Sequence, residues 1–340
     1  MRAVVCTALG PVENLVLGEL PDPEPGPGEI VIDVQVAALN FPDTLIIEGK
    51  YQFRPDPPFS PGGEAAGVIA AVGDGVGWKV GTPVVAVHTA GAFAEKWLVP
   101  GAMVLPLPEG LSFEQAAGFT MTYGTSYYAL KQRAGLQPGE TLLVLGAAGG
   151  VGSAAVELGK AMGATVIAAA STPEKLDFAS SLGADHTIDY TAADLRESVK
   201  EFTAGRGVDV VYDPVGGPIS EPALRSIAWD GRLLVVGFAA GDIPSLPLNL
   251  PLLKSASIVG VFWGAWMRRG SPATAENVRE LYQMAATGRI EPRISAIHPL
   301  EDYAAAFSDL TSRTATGKVL LRIGPGQPSR CRGRLVCSTP

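Results

Sequence analysis

One glycine-rich turn, set between an apolar run and a helix-forming run, constrains this chain more than any other stretch. Residues 140–175 read ETLLVLGAAGGVGSAAVELGKAMGATVIAAASTPEK. The branched apolar run 141–145 predicts a buried parallel strand. The turn Gly146-Ala147-Ala148-Gly149-Gly150-Val151-Gly152 follows at once. Small and apolar residues then recur at helical spacing over 153–162, Gly163 stops the helix, and 165–169 is a second apolar strand. Without Cβ atoms, Gly149 and Gly150 let the backbone approach a pyrophosphate closely, and Gly152 lets the helix pack on the sheet. The helix N-terminus offers that anion unpaired N–H groups and a partial positive charge. Ala147 stands where a first glycine is usual. Many tight turns carry glycine for conformation alone, but a strand before and a helix after are the context of a dinucleotide site.

The end of the second strand bears on which dinucleotide. An NAD site wants an acidic residue about 20 positions after the glycines, to accept from the ribose 2′-hydroxyl. Position 171, 19 residues after Gly152, is a serine. Ser171 and Thr172 can donate to a 2′-phosphate and Lys175 brings positive charge, while Glu174 is expected to face solvent in the helix begun by Pro173. Serine and lysine at a helix start also serve capping and solubility. The missing acid is the sharper signal, and it favours NADP(H).

Beyond that unit, strand and helix alternate: helix 175–182, strand 186–189, helix 194–203, strand 208–212, helix 222–228, strands 231–236 and 258–262. Such alternation predicts a doubly wound parallel sheet. Residues 1–119 instead read as β-rich and irregular, with strands at 3–6, 30–37, 67–72, 80–88 and 94–99 between Gly- and Pro-rich connections. Helices are expected over 113–135, 276–287 and 302–311, and a last strand over 318–323. At 340 residues two domains are expected.

Composition narrows the class. With 47% hydrophobic and 18% charged residues the chain is a soluble globular type, and no apolar run reaches the roughly 18 residues of a membrane span. The N-terminus lacks a signal peptide's apolar core, so the cytoplasm is the expected location. A net charge of −8 argues against nucleic acid as the main partner. Cys6, Cys331 and Cys337 give no disulfide framework, and His88, His186 and His298 are scattered, so no metal site is expected. The tail 325–340, basic and rich in Gly, Pro and Ser, is expected to be disordered.

Several widely spaced segments together resemble one family. They are LNFPDTLIIEGKYQ (39–52), PFSPGGEAAGV (58–68), GAAGGVG (146–152), DVVYDPVGG (209–217), GRLLVVGFAAG (231–241) and RTATGKVLL (313–321). The chain resembles the zinc-free medium-chain dehydrogenases/reductases of the NADPH:quinone oxidoreductase (zeta-crystallin-like) branch, over residues 1–323. The resemblance implies an α/β fold in which a Rossmann doubly wound parallel sheet, 120–266, is inserted into a β-rich, GroES-like barrel catalytic domain, 1–119 completed by 267–324. It implies NADPH as cofactor in the cleft between them, and a homodimer joined at the edge strand 258–262. In zinc-dependent relatives three side chains hold a metal. The matching positions here are Asn40, Gly63 and Met121, a set without good zinc donors.

Catalytic candidates therefore lie in 40–51. The Asn40 amide could donate to a substrate oxygen or the nicotinamide, the Tyr51 phenol to a developing oxyanion, and Asp43 could orient Asn40. On the cofactor side the resemblance points to Thr125 at the nicotinamide ribose and to Ala148, Gly149, Gly150 and Val151 at the pyrophosphate. Ser171, Lys175 and Tyr190 would surround the 2′-phosphate, Val215, Phe238 and Phe262 would line the path, and Arg313 would reach the phosphate. The reaction implied is hydride transfer to a quinone or conjugated carbonyl compound. An enoyl-thioester (acyl-CoA) reductase is the alternative within the enzymes, with Arg268 and Arg269 as a small candidate patch for the phosphates. An NADPH-binding module with little turnover is the alternative outside them.

Overall fold

In the computed structural model, which describes residues 1–325, the strand Thr141–Leu145 is buried at all five positions. Alternate side chains fill two different layers: Leu142 and Val144 join the core under the Gly150–Ala161 helix, while Leu143 and Leu145 join a core with Ile167 and Val211 on the other face. A strand apolar at every position needs cover on both faces, which is why it occupies the sheet centre. The six parallel strands run His186–Asp189, Thr165–Ala170, Thr141–Leu145, Val208–Asp213, Ile227–Val235 and Ser257–Gly260 from edge to edge. Strand order therefore reverses between Thr141–Leu145 and Val208–Asp213, and the loops leaving their carboxyl ends part there to leave a crevice.

The second sheet has seven strands, drawn from both ends of the chain. Glu29–Ala38 pairs with Glu64–Val72 on one side and with Lys318–Arg322 on the other, with Leu320 opposite Ala38. Ile294–Pro299 adds a parallel edge, and Pro83–Val87, Val104–Pro106 and Lys96–Pro100 complete the sheet. Its interior holds Ile30, Ile32, Phe93, Trp97 and Phe307. Among the described residues, no helix is long and apolar enough to cross a membrane. The tail expected to be disordered lies outside the described residues beyond position 325.

The strand Leu15–Glu19 and the helices Asn249–Lys254 and Trp263–Arg268 add to the expected elements, and three further stretches differ from the local pattern. The helix expected over 113–135 is divided into Phe113–Ala117 and Thr120–Tyr127, and the latter runs on into a π-helix, Tyr128–Ala134. The Ser112 and Gln115 capping box starts the first piece, and Gly118 caps its end. The helix expected over 222–228 is Ser220–Arg225 instead, because Ile227 already pairs with Val208 in the sheet. The Asn40 region, to which no element was assigned, contains the helix Phe41–Ile47. Its start carries Pro42 within the first turn and Asp43, whose carboxylate accepts the Asn40 N–H at 2.7 Å, an N-terminal signature legible in NFPD.

Candidate active site

The Gly146–Gly152 turn opens at the strand-order reversal. A Cβ on Gly152 would sit 2.1 Å from the Gly146 carbonyl oxygen, so only glycine allows that helix turn to close on the strand end. Gly149 is exposed, and no acidic side chain stands in the first turn of the twelve-residue helix Gly150–Ala161. Nothing there competes with an anion for the helix N-terminus. Across the reversal, the Asp213 carboxylate accepts the N–H groups of Val215 (2.9 Å) and Gly216 (2.8 Å) and the Ser220 hydroxyl (2.6 Å). Those bonds hold the Val215 loop against Gly146, where an added Cβ would lie 2.9 Å from the Val215 side chain.

Most of the expected cofactor residues lie on this rim. Ser171 follows Thr165–Ala170 directly, and the Lys175 ammonium donates to its hydroxyl at 3.3 Å. Thr172 caps the Pro173–Ser181 helix. Tyr190 follows the next strand and donates its N–H to the Ala170 carbonyl at 3.2 Å. Thr125 is on the Thr120–Tyr127 helix, Phe238 packs against Gly216, and Phe262 is 49% exposed just past the edge strand. Arg313, at φ 59°, turns its guanidinium across to the Ala239 carbonyl at 3.1 Å.

The substrate-side candidates stand in a buried polar cluster. Asn40, Asp43, Glu64 and Lys318 are all buried. The Asn40 amide nitrogen donates to Glu64 Oε2 (3.1 Å) and the Ala38 carbonyl (3.3 Å), and its oxygen accepts from Lys318 Nζ at 2.6 Å. Both amide hydrogens are thus engaged within the protein. Burial pushes the Asp43 carboxyl up to about 7, against the pull of the Asn40 and Gly63 N–H groups and the Lys318 charge. Tyr51 is half-buried; burial raises its phenol pKa, and the Arg268 charge pulls it back. Burial lowers the His88 imidazole pKa, and Arg268 lowers it further. Arg268 is exposed, at the end of the Trp263–Arg268 helix, and has no ion-pair partner among the described residues.

Glu64 and Lys318 were not singled out by sequence reasoning, and His88 was weighed only as a metal ligand. Glu64 stands in a run of Gly and Ala and Lys318 heads an apolar strand, so a charge amid apolar neighbours was the available signal.

The residues do not fit a catalytic zinc. A Cβ on Gly63 would lie 3.5 Å from the Met121 methyl and 3.8 Å from Asp43 Oδ1, so the matched positions do converge, but on a thioether and one carboxylate. No group of three His, Cys, Asp or Glu is gathered for a metal among the described residues.

Two family models match the chain: an alcohol dehydrogenase GroES-like domain over 26–109 and a zinc-binding dehydrogenase over 150–283. Quinone oxidoreductase-like protein 2 of Bos taurus is 38% identical over 324 residues, covering 95% of this chain and 92% of that protein. The Escherichia coli quinone oxidoreductase complexed with NADPH superposes with a TM-score of 0.88 at 31% identity, covering 95% and 100% of the two chains. The Thermus thermophilus quinone oxidoreductase, solved alone and with NADPH, gives 0.82 at 37% identity, over 95% and 100%.

Asp43 supplies a pH test. Its folded-state pKa, about 7, lies above the ordinary 3.8, so the folded protein holds this proton more tightly than the unfolded chain. Its contribution to stability is therefore present below about pH 4 and is lost as the pH rises through about 7. In urea unfolding across that range, Asp43→Asn is expected to gain stability relative to wild type as the pH rises. A pH-independent difference would contradict the buried, proton-holding carboxyl.

Proposed function

The chain belongs to the quinone oxidoreductase-like family of medium-chain dehydrogenases/reductases, and on that premise we propose that it uses NADPH to reduce a quinone or a conjugated carbonyl compound. The observation that carries the reading is the glycine-lined helix N-terminus beside the paired Ser171 and Lys175, with no acid where a 2′-hydroxyl would need one. NADPH, when bound, supplies a hydride from its nicotinamide ring. Ala148, Gly149, Gly150 and Val151 would hold the pyrophosphate, and Ser171, Lys175 and Tyr190 the 2′-phosphate. Thr125, Val215, Phe238, Phe262 and Arg313 would line the remainder.

The protein's own part is positioning and protonation. A quinone that accepts a hydride gains negative charge on oxygen and needs one proton to become the quinol. Tyr51, its phenol kept protonated by burial, donates to that oxygen, and solvent replaces the proton. Asn40, its amide committed to Glu64, Ala38 and Lys318, holds the head of the Phe41–Ile47 helix and is not itself the donor to substrate. Asp43 ties Asn40 to Gly63 beneath it.

Exposed Arg268 and Arg269, neither ion-paired among the described residues, favour a second reading in which the acceptor carries an anionic end, as an acyl-CoA does. An acceptor panel separates the two. Loss of reduced-nicotinamide absorbance is followed with 1,2- and 1,4-quinones, an alkenal and crotonyl-CoA, with NADH in place of NADPH as control. Tight NADPH binding without turnover of any acceptor would favour a binding module over a reductase.

Three variants test the parts. Tyr51→Phe is expected to lower kcat about 100-fold, as loss of one oxyanion donor does, while NADPH affinity stays unchanged; unaltered kcat would remove Tyr51 from the chemistry. Lys175→Ala is expected to weaken NADPH binding roughly 10-fold by loss of a charge-assisted bond, with NADH binding unaffected. Equal weakening of both would argue against a 2′-phosphate site. We further propose a homodimer through the bare edge Ser257–Gly260, flanked by exposed Leu248 and Leu252 at 77% each. Sedimentation should give a dimer that Ile258→Lys converts to a monomer, and a monomeric wild type at micromolar concentration would overturn it.

A further inference from the structure

We propose that Lys318 is a positioning residue that ties the phosphate turn to the head of the Phe41–Ile47 helix, acting through the Glu64 carboxylate and the Asn40 amide. The inference rests on the dinucleotide reading of that turn. One side chain touches both places. The Lys318 stem lies against Gly150, where an added Cβ would be 3.3 Å from its Cδ, and against Gly118, at 3.2 Å from its Cγ. Gly150 is the first residue of the helix that follows the turn. At the other end, the ammonium donates to Asn40 Oδ1 (2.6 Å), the Leu39 carbonyl (3.0 Å) and Glu64 Oε2 (3.2 Å).

These three bonds use every hydrogen an ammonium has. Glu64 is equally committed, since Oε2 also takes the Asn40 amide and Oε1 accepts the Met121 N–H at 2.7 Å, in the first turn of Thr120–Tyr127. The backbone repeats the link: Gly317 donates to the Ala148 carbonyl within the turn at 2.9 Å, and Lys318 donates to the Arg293 carbonyl at 2.8 Å. Lys318 and Glu64 are 4% and 1% exposed, so no solvent stands ready to replace a broken bond. A shift of the Gly150 turn therefore moves the Lys318 stem, and the ammonium carries the shift to Asn40. A buried ion pair can also be mere packing that an apolar pair would replace without loss. The two roles differ in what they transmit.

The test uses the full chain and 2′-phospho-ADP-ribose, which has the phosphates but no nicotinamide ring to touch Asn40. Amide hydrogen exchange is followed over 41–47 with and without this probe. In wild type the bound probe is expected to slow exchange there about 5-fold or more, the low end of ordinary coupling between sites. Lys318→Met alone would leave the Glu64 charge buried and unpaired. The comparison is therefore the neutral double variant Glu64→Gln/Lys318→Met, expected to bind the probe and to show slowing at 146–152 and around Ser171 and Lys175 but none over 41–47. Lys318→Arg, which keeps the charge but not the three-acceptor geometry, is expected to behave likewise and decides the matter should the double variant not fold. Slowing over 41–47 that persists in the variants overturns the proposal. So does a wild type that binds the probe without slowing there. A wild type that does not bind the probe at all overturns the dinucleotide reading, and this proposal with it.

Discussion

An ammonium and a carboxylate buried in one interior each forfeit hydration worth several kcal/mol, and the fold must return it through bonds of fixed geometry. Lys318 and Glu64 meet that demand by drawing four segments to a point. Lys318 begins the strand that joins the chain's last part to its first, and Glu64 begins the neighbouring strand across Glu29–Ala38. Asn40 heads the Phe41–Ile47 helix, and Met121 lies in the first turn of the helix that packs against Gly150–Ala161. The junction is one link between the two larger sheets, beside the Gly317 bond to the Ala148 carbonyl, and a member that moves strands another's charge or amide.

The crevice arises from a different constraint. A parallel sheet whose strand order reverses has loops that diverge at the reversal, and the close approach of Gly152 to Gly146 keeps the gap lined with backbone. The chain as a whole carries a net charge of −8. Around the crevice and its approach, however, stand a helix N-terminus without acidic first-turn residues, Lys175, Arg268 and Arg313. Cations gathered beside a helix N-terminus on an acidic protein are the arrangement that favours an anionic ligand there.

The alternation of strand and helix from Thr141 onward was legible because its signals are local: apolar period, glycine stops, serine, threonine and proline at helix starts. The adjacency of Ser171 and Lys175 was legible for the same reason, since both are placed by one βα unit. The Phe41–Ile47 helix was not assigned, although Asn40, Pro42 and Asp43 announce it, because it is a short turn of helix within a β-rich, Gly- and Pro-rich region. Asn40 was weighed as a donor to substrate. Its amide is instead engaged by Glu64 and Ala38, partners that sequence proximity does not reveal for Glu64, 24 residues away.

What the amino-acid sequence determined by itself was the strand-helix alternation of the parallel sheet, the position of the glycine-rich turn and the absence of an acid at position 171. Each follows from neighbours along the chain, whose steric and hydrogen-bonding preferences act over a few residues. What only the tertiary structure decided was the junction of Lys318 with Asn40 and Glu64, and the placing of Arg268 within electrostatic reach of Tyr51 and His88. Those pairings join segments up to 278 residues apart. They exist because burial removes water as the competing partner, and the folded core alone settles which side chains are buried together.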